Sequence, residues 1–352
     1  MTRQEKTLNR RTLLRGLAAC CIGAPMARAQ TAHTRLRMLL NTGYSGPQAW
    51  LLLAQANGHL AREGVELDLT TGGGAYTAAP RMIDGGFDLA YGDVNSLIEE
   101  VARRPAAAPQ GVFMMMQASP SAIAVRADGP LRAPRDLEGA TVTGHATDVA
   151  LRTFGAFCLH NGVDRSRVNV TSSFGGMRGM IESVLAGEVQ VAFGYVSTFA
   201  GAVASAQPPL LEKVRFLKYA DWVPSLHGSV LMASRRLRRE DPAVVTRVVR
   251  ALNLGLADML RDPDAGIAAV ARVAPGVDPG AEKLRLLTTL RIEMNHDDSR
   301  RLGIGDVGDA RLGQSIALMA KGAALPRVPA LQEVFVRDHL PPLAARVKNP
   351  GS

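Results

Sequence analysis

The chain has 352 residues and a formal net charge of +9, with 47% hydrophobic and 5% aromatic residues. Six basic side chains (Arg3, Lys6, Arg10, Arg11, Arg15 and Arg28) against the one acid Glu5 put more than half of that charge into the first 29 residues. What remains is only mildly basic and poor in aromatics, which argues against a nucleic-acid-binding surface, and three cysteines exclude a disulfide-built scaffold.

The N-terminus reads as an address. Arg10-Arg11-Thr12-Leu13-Leu14-Arg15 follows the twin-arginine pattern, residues 16–27 form a mildly apolar run, and Ala27-Arg28-Ala29 offers a small-x-small cleavage site. A signal peptide over 1–29 is expected, with Gln30 as the first mature residue and the periplasm as the compartment. Leu17-Ala18-Ala19-Cys20 also looks like a lipobox, so lipid anchoring at Cys20 is a second processing route. Arg15 leaves few apolar residues ahead of Cys20, which favours soluble release. Beyond the signal, Cys158 stands alone and cannot close an intrachain disulfide. The remaining ~320 residues are long enough for two domains, and no other run approaches the roughly 18 apolar residues of a membrane span.

Strand and helix patterns then alternate. Leu36–Leu40 reads as a strand ending in the turn-rich stretch from Asn41 to Pro47, followed by a helix from Gln48 to about Arg62 with Gly64 as its C-cap. Val65–Leu69 alternates with period two, as a half-buried strand does. After Thr71-Gly72-Gly73-Gly74 come a helix to about Asp84, a strand over Phe87–Tyr91 and a helix over Ser96–Arg104. This βαβαβ order predicts a mostly parallel, doubly wound sheet.

The pattern restarts with strands at Gly111–Gln117 and Ala122–Val125, and Asp128-Gly129-Pro130 reads as the crossing into a second lobe. That lobe holds strands at Ala140–Thr143, Val168–Val170, Val189–Phe193 and Val214–Tyr219, and a helix over Asp148–Asn161. Ser229–Ala233 returns to the first lobe, giving lobe 1 as 35–125 and 229–345 and lobe 2 as 126–228. From Asp241 onward the chain is helical, with Asp241-Pro242, Asp262-Pro263 and Asp278-Pro279 each pairing an N-cap with proline at the first helical position. The C-terminal helices are expected to pack on lobe 1.

The segment from Ala54 to Val65 resembles the A-x-x-x-G-x-F-x-x-E-G-L stretch of the periplasmic binding proteins for nitrate, sulfonates, taurine and thiamine pyrimidine precursors, the NMT1/THI5-like group. Gly85-Gly86-Phe87-Asp88 and the entry Asp136-Leu137-Glu138-Gly139 resemble the same family in order and spacing. Asp262-Pro263, Gly303-Ile304-Gly305 and His339-Leu340-Pro341 fit its helical tail. The resemblance implies an α/β, two-lobed type II periplasmic binding protein fold with a ligand cleft between the lobes. It also implies an ABC permease in the inner membrane as partner. The cysteine-rich motif of the yeast-type pyrimidine synthases is missing, so a binding protein rather than an enzyme is expected, and a monomer. A periplasmic enzyme on the same fold, and a sensor serving a membrane receptor, are the alternatives.

In open α/β sheets ligands bind beyond the carboxyl ends of the strands. On that rule the candidate contacts are Tyr44, Ser45, Gly73, Gly74, Tyr91, Asp93 and Asn95 in lobe 1. Thr143, Gly144, His145, Thr147 and Tyr195 are those of lobe 2, and Trp222 is a stacking candidate. Asp93 reads equally as acceptor for a ligand amine or as cap of the following helix. The amides after Thr147 and Asp148 suit an anionic group, unless those residues cap the helix themselves. The loop Phe174-Gly175-Gly176-Met177 is a further candidate. No cofactor or metal is expected: Gly303-Ile304-Gly305-Asp306-Val307-Gly308 matches G-x-G-x-x-G, but a polar stretch precedes it, not a strand. His296-Asp297-Asp298 reads as a solvated loop, and Cys158 as core on the stripe of Leu151 and Phe154.

Overall fold

The computed structural model describes Thr2 and residues 33–172, 175–204, 206 and 210–348. The expected signal peptide, Cys20 and Phe174 lie outside them. Among the described residues ten strands form two five-stranded sheets: β1 (Thr34–Leu39), β2 (Val65–Thr70), β3 (Leu89–Asp93), β4 (Gln110–Met114), β5 (Ser121–Arg126), β6 (Thr141–Gly144), β7 (Asn169–Ser172), β8 (Val191–Tyr195), β9 (Val214–Lys218) and β10 (Ser229–Ala233). The first sheet runs β2-β1-β3-β10-β4 and the second β7-β6-β8-β5-β9.

The sheets repeat one plan. In the first, β1 is parallel to β2 and β3, and β10 lies antiparallel between β3 and β4. In the second, β6 is parallel to β7 and β8, and β5 lies antiparallel between β8 and β9. Each sheet is therefore parallel apart from the single strand that enters it from the other lobe.

That plan moves the expected crossing. β5 belongs to the second sheet, so the chain passes between lobes at 115–120, ahead of Asp128-Gly129-Pro130, which forms a turn within lobe 2. The return passage, 219–228, runs beside the first. Gly228 N donates to Met116 O at 3.0 Å, and the Met115 and Met116 amides both donate to Ser229 O. A Cβ at Gly228 would stand 2.7 Å from Pro120 Cδ and 2.8 Å from Met116 Cβ, so only glycine lets the two passages lie this close.

Local signals set the helix ends. Asp241, Asp262 and Asp278 each accept amide hydrogens of the first turn, with proline at the first helical position, opening the helices Pro242–Arg261, Pro263–Val273 and Pro279–Thr288. The expected Gln48–Arg62 helix is instead two helices, Ala49–Ala56 and His59–Arg62, because Gly58 takes φ +70° between them. β3 starts two residues later than the expected strand over Phe87–Tyr91, and its last residue, Asp93, caps the helix Val94–Arg103.

The C-terminal helices do not serve lobe 1 alone. The helix Asp309–Gly322 packs on Val94–Arg103 of lobe 1 and on Phe154–Asn161 of lobe 2. A Cβ at Gly155 would stand 2.5 Å from Gly322 O, which shows how closely the second contact is made. The helix Pro279–Thr288 likewise packs on Val196–Ala202, where a Cβ at Gly201 would stand 2.3 Å from the Arg285 stem. One apolar cluster consequently joins Leu39 and Ile98, Ile123, Phe154 and Phe193, and Leu312, Ile316 and Met319. The tail is therefore a bridge between the lobes.

Candidate functional site

Between the sheets lies a cavity of about 240 Å³. Lobe 1 supplies the turn after β1 (Asn41, Thr42, Ser45, Pro47, Gln48) and the loop after β2 (Gly72 to Ala75). Lobe 2 supplies His145, Thr147, Asp148 and Val149 after β6, with Met177, Tyr195, Ser197 and Thr198. Arg285 and Glu293 come from the C-terminal helices, and Met116 from the first passage.

Each wall has its own internal support. The buried Gln48 amide donates to Asn41 Oδ1 and, at 3.0 Å, to Thr42 Oγ1, while Ser45 Oγ donates to Gln48 Oε1 at 2.5 Å. This network fixes the turn that the first strand delivers to the cavity. Opposite it, His145 Nδ1 and Thr147 Oγ1 are 2.9 Å apart. The lobes touch at the rim, where Thr147 Oγ1 lies 3.5 Å from Gly73 O and the Arg152 guanidinium sits 5.0 Å from the Tyr76 ring centroid. Arg152 also approaches Glu99 at 4.0 Å, and Glu99 accepts from the Tyr76 hydroxyl.

Carboxylates dominate the charge. Asp148 Oδ1 accepts from the Ala150 and Leu151 amides at 2.8 and 3.4 Å, so it caps its helix and fills the position expected to bind an anion. Burial pushes its pKa up to about 6, against the lowering effect of those two amides. Glu293 is fully buried, and desolvation raises its pKa although Ser197 Oγ donates to Oε1 at 2.6 Å. Glu282 Oε2 accepts from Gly46 N at 2.6 Å, occupying the start of the first-lobe helix, and Glu282 also binds Arg285 Nη1 at 2.9 and 3.2 Å. Among the described residues Arg285 Nε and Glu293 Oε2 have no hydrogen-bond partner, nor does the Tyr195 hydroxyl. Burial raises the Tyr195 pKa well above its ordinary value, helped by Asp93, Asp148 and Glu293.

Of the residues singled out from sequence, Ser45, Gly73, Gly74, His145, Thr147, Asp148, Met177 and Tyr195 are brought together on the lining; Tyr44, Tyr91, Asp93, Asn95, Thr143, Gly144 and Trp222 lie elsewhere. Tyr91 is buried with its ring 5.4 Å from Trp50, edge to face, inside the lobe 1 core. Asp93 Oδ1 caps its helix through the Asn95 and Ser96 amides, and burial pushes its pKa up to about 7. Asn95 Nδ2 donates to His227 O in the return passage. Tyr44 is half-buried against the lobe 1 core, Thr143 and Gly144 are inside β6, and Trp222 packs on the large apolar cluster. Sequence reasoning missed Asn41, Thr42, Gln48, Ser197, Thr198, Arg285 and Glu293. Asn41 and Gln48 flank the turn already singled out, which was a usable signal. Nothing local marks Arg285 or Glu293.

The rejected motifs have structural roles. Gly305 pairs with Met114 through two backbone hydrogen bonds, and Asp306 binds Arg337 and Arg346, each at 2.7 Å. His296 Nδ1 accepts from the Asp298 amide as a helix cap. Among the described residues no group of three His, Cys, Asp or Glu side chains is placed to hold a metal ion. Cys158 is buried in the core, which pushes its thiol up to about 12.

The family model described as NMT1/THI5 like matches residues 48–266, more than half of the chain. The chain belongs to the NMT1/THI5-like family. Solved structures agree on the fold at low identity. The alkanesulfonate-binding protein SsuA from Xanthomonas axonopodis pv. citri, bound to MOPS, is 16% identical with a TM-score of 0.65, over 87% of this chain and 99% of that one. The periplasmic aliphatic sulphonate binding protein SsuA from Escherichia coli is 14% identical with a TM-score of 0.63, over 86% and 92%. A Cys-to-Ser mutant of DszB in complex with biphenyl-2-sulfinic acid is 16% identical with a TM-score of 0.58, over 86% and 97%. This NMT1/THI5-like chain thus has the periplasmic binding protein fold, which carries binding proteins and an enzyme alike. No curated protein sequence matches it.

Proposed function

We propose that the chain is the exported solute-binding component of an ABC importer and takes up a small organic anion, zwitterion or pyrimidine-like compound. The observation that carries this is the cavity, lined from both lobes at the ends of β1, β2, β6 and β8, the arrangement in which a ligand bridges two lobes. Ligand contacts to both lobes favour the closed arrangement by their differential affinity, and an inner-membrane permease reads that state. A periplasmic location follows from the twin-arginine-like leader, and the binding proteins with the same fold support it.

Binding without conversion fits the lining. The described thiol is in the core, and the polar groups of the lining are mostly engaged with one another. The DszB likeness and the His145–Thr147 pair favour an enzyme as second reading. A thermal-shift screen of the chain from Gln30 onward with sulfonates, nitrate, aromatic carboxylates, pyrimidines and amino compounds separates them, since a ligand of the folded state raises the melting temperature. A chemically coherent class recovered unchanged after incubation is the expected result. A stabilising compound that is consumed would overturn the transport reading in favour of catalysis.

A further inference from the structure

The cavity wall contains a buried acceptor, Glu293 Oε2, with no hydrogen-bond partner among the described residues, although the Thr289 hydroxyl and the Arg285 guanidinium lie near enough to lower the Glu293 pKa. Glu293 closes the short π-helix Thr289–Glu293, a wide turn of the kind often found at functional sites. The residue has no solvent exposure; Ser197 serves Oε1, and Oε2 has no hydrogen-bond partner. Its backbone is held too, because Glu293 O accepts from the Ala118 amide of the first passage at 3.1 Å. A buried carboxylate oxygen without a donor is costly to keep, and here it belongs to a residue that lines a cavity.

Several groups that would attract a plain anion are already spent, whereas the start of the helix Met177–Ala186, which reaches the cavity at Met177, has no side-chain cap. Asp148 holds the amides at its own helix start, and Glu282 holds Gly46 N together with Arg285 Nη1. Arg285 keeps only Nε without a partner. Of the charged side chains on the cavity lining, Glu293 and Asp148 face the guanidinium of Arg285, which is itself paired with Glu282.

We propose that Glu293 receives a protonated nitrogen of the ligand, an ammonium or amidinium, so that the cavity selects small organic cations and zwitterions over anions that lack such a group. The ligand N–H donates to Oε2, giving the buried carboxylate its missing partner in a charge-assisted hydrogen bond. Arg285 Nε is left for an acceptor elsewhere on a zwitterion. This selection rests on the solute-binding reading above and gives it a substrate class.

Matched probes that differ in one nitrogen test it: 4-aminobutyrate against butyrate, 2-aminoethanesulfonate against ethanesulfonate, and benzamidine against benzamide. Each is titrated calorimetrically into the mature chain, into Glu293→Gln and into Glu293→Asp. In the wild type the nitrogen-bearing member of at least one pair binds tenfold or more tightly than its partner. Glu293→Gln loses that preference while still melting cooperatively, and Glu293→Asp keeps it at lower affinity. If Glu293→Gln does not fold, the Glu293→Asp result and the wild-type pairs still decide. Nitrogen-free members that bind as tightly as their partners, in wild type and variants alike, overturn this inference and leave the solute-binding reading standing. Failure of every probe to bind overturns the inference and counts against the reading beneath it.

Discussion

Arg311 holds the two interlobe passages together, and replacing it with methionine tests how much of the stability resides there. It sits on the helix Asp309–Gly322 with its side chain only 14% exposed. Its guanidinium donates to Gln117 O in the first passage, and in the second to Leu226 O at 3.1 Å and Pro224 O at 2.7 Å; Nη1 lies 3.2 Å from Asp298 Oδ2. Arg311→Met keeps an apolar stem of similar length and removes all of these. Water replaces the donor at the exposed Pro224 contact, so that bond contributes little. The other two carbonyls lose charge-assisted donors, at about 1.5–3 kcal/mol each. Asp298 keeps Arg301 at 3.0 Å, so its own loss is small. The sum is about 4 kcal/mol. For a chain of this size that corresponds to a fall of roughly 6–8 °C in melting temperature. Urea unfolding followed by circular dichroism measures it, with Arg311→Lys expected in between because an ammonium reaches fewer of the carbonyls. A methionine variant within about 1 kcal/mol of wild type would show that the passages do not depend on this side chain.

Asp93 gives a pH signature. Its folded pKa, about 7, lies above the unfolded value, so the folded state holds the extra proton. Its contribution is therefore complete below the unfolded pKa and fades as pH rises towards 7, by at most ~1.4 kcal/mol per pH unit. His227, buried and lowered well below its ordinary value, works in the opposite sense as pH falls below about 6.5, which is why the difference between variant and wild type is the quantity to follow. Asp93→Asn should gain stability relative to wild type between pH 5 and pH 8; a difference that stays flat in urea midpoints would refute the raised pKa. Gly305→Ala is expected to cost about 3 kcal/mol, since φ is +112° and a Cβ would stand 2.5 Å from the Phe113 ring. Gly179→Ala, in open space on the helix Met177–Ala186, should instead be neutral or stabilise by up to about 1 kcal/mol. Equal melting temperatures for the two alanine variants would contradict the packing at Gly305.

Much of the local structure was legible because its causes are local. An aspartate followed by proline marks a helix start wherever it occurs, since the carboxylate caps amides two or three residues ahead and proline has no amide to lose. Period-two alternation found β2, and the short apolar runs found the remaining strands to within two or three residues. The motifs that resemble the family at 54–65, 85–88, 136–139 and 262–263 fell in the matched region, while those at 303–305 and 339–341 lie beyond it. At the site, the rule about strand ends brought forward eight lining residues but also Tyr91 and Asp93. Along a strand neighbouring side chains take opposite faces, and Tyr91 went to the core face.

What the tertiary structure alone decided is long-range. No local pattern states that β5 inserts antiparallel into the second sheet, because an apolar strand of six residues pairs equally well with either neighbour and the register of the whole sheet makes the choice. Nor does the sequence near 279–322 say that its helices span both lobes; amphipathic stripes show that a face is covered, not by what. Arg285 and Glu293 reach the cavity from more than 200 residues beyond Asn41 in the chain. Their meeting depends on the bridge those helices make, and the unpaired carboxylate oxygen on which substrate choice rests exists only once that bridge has formed.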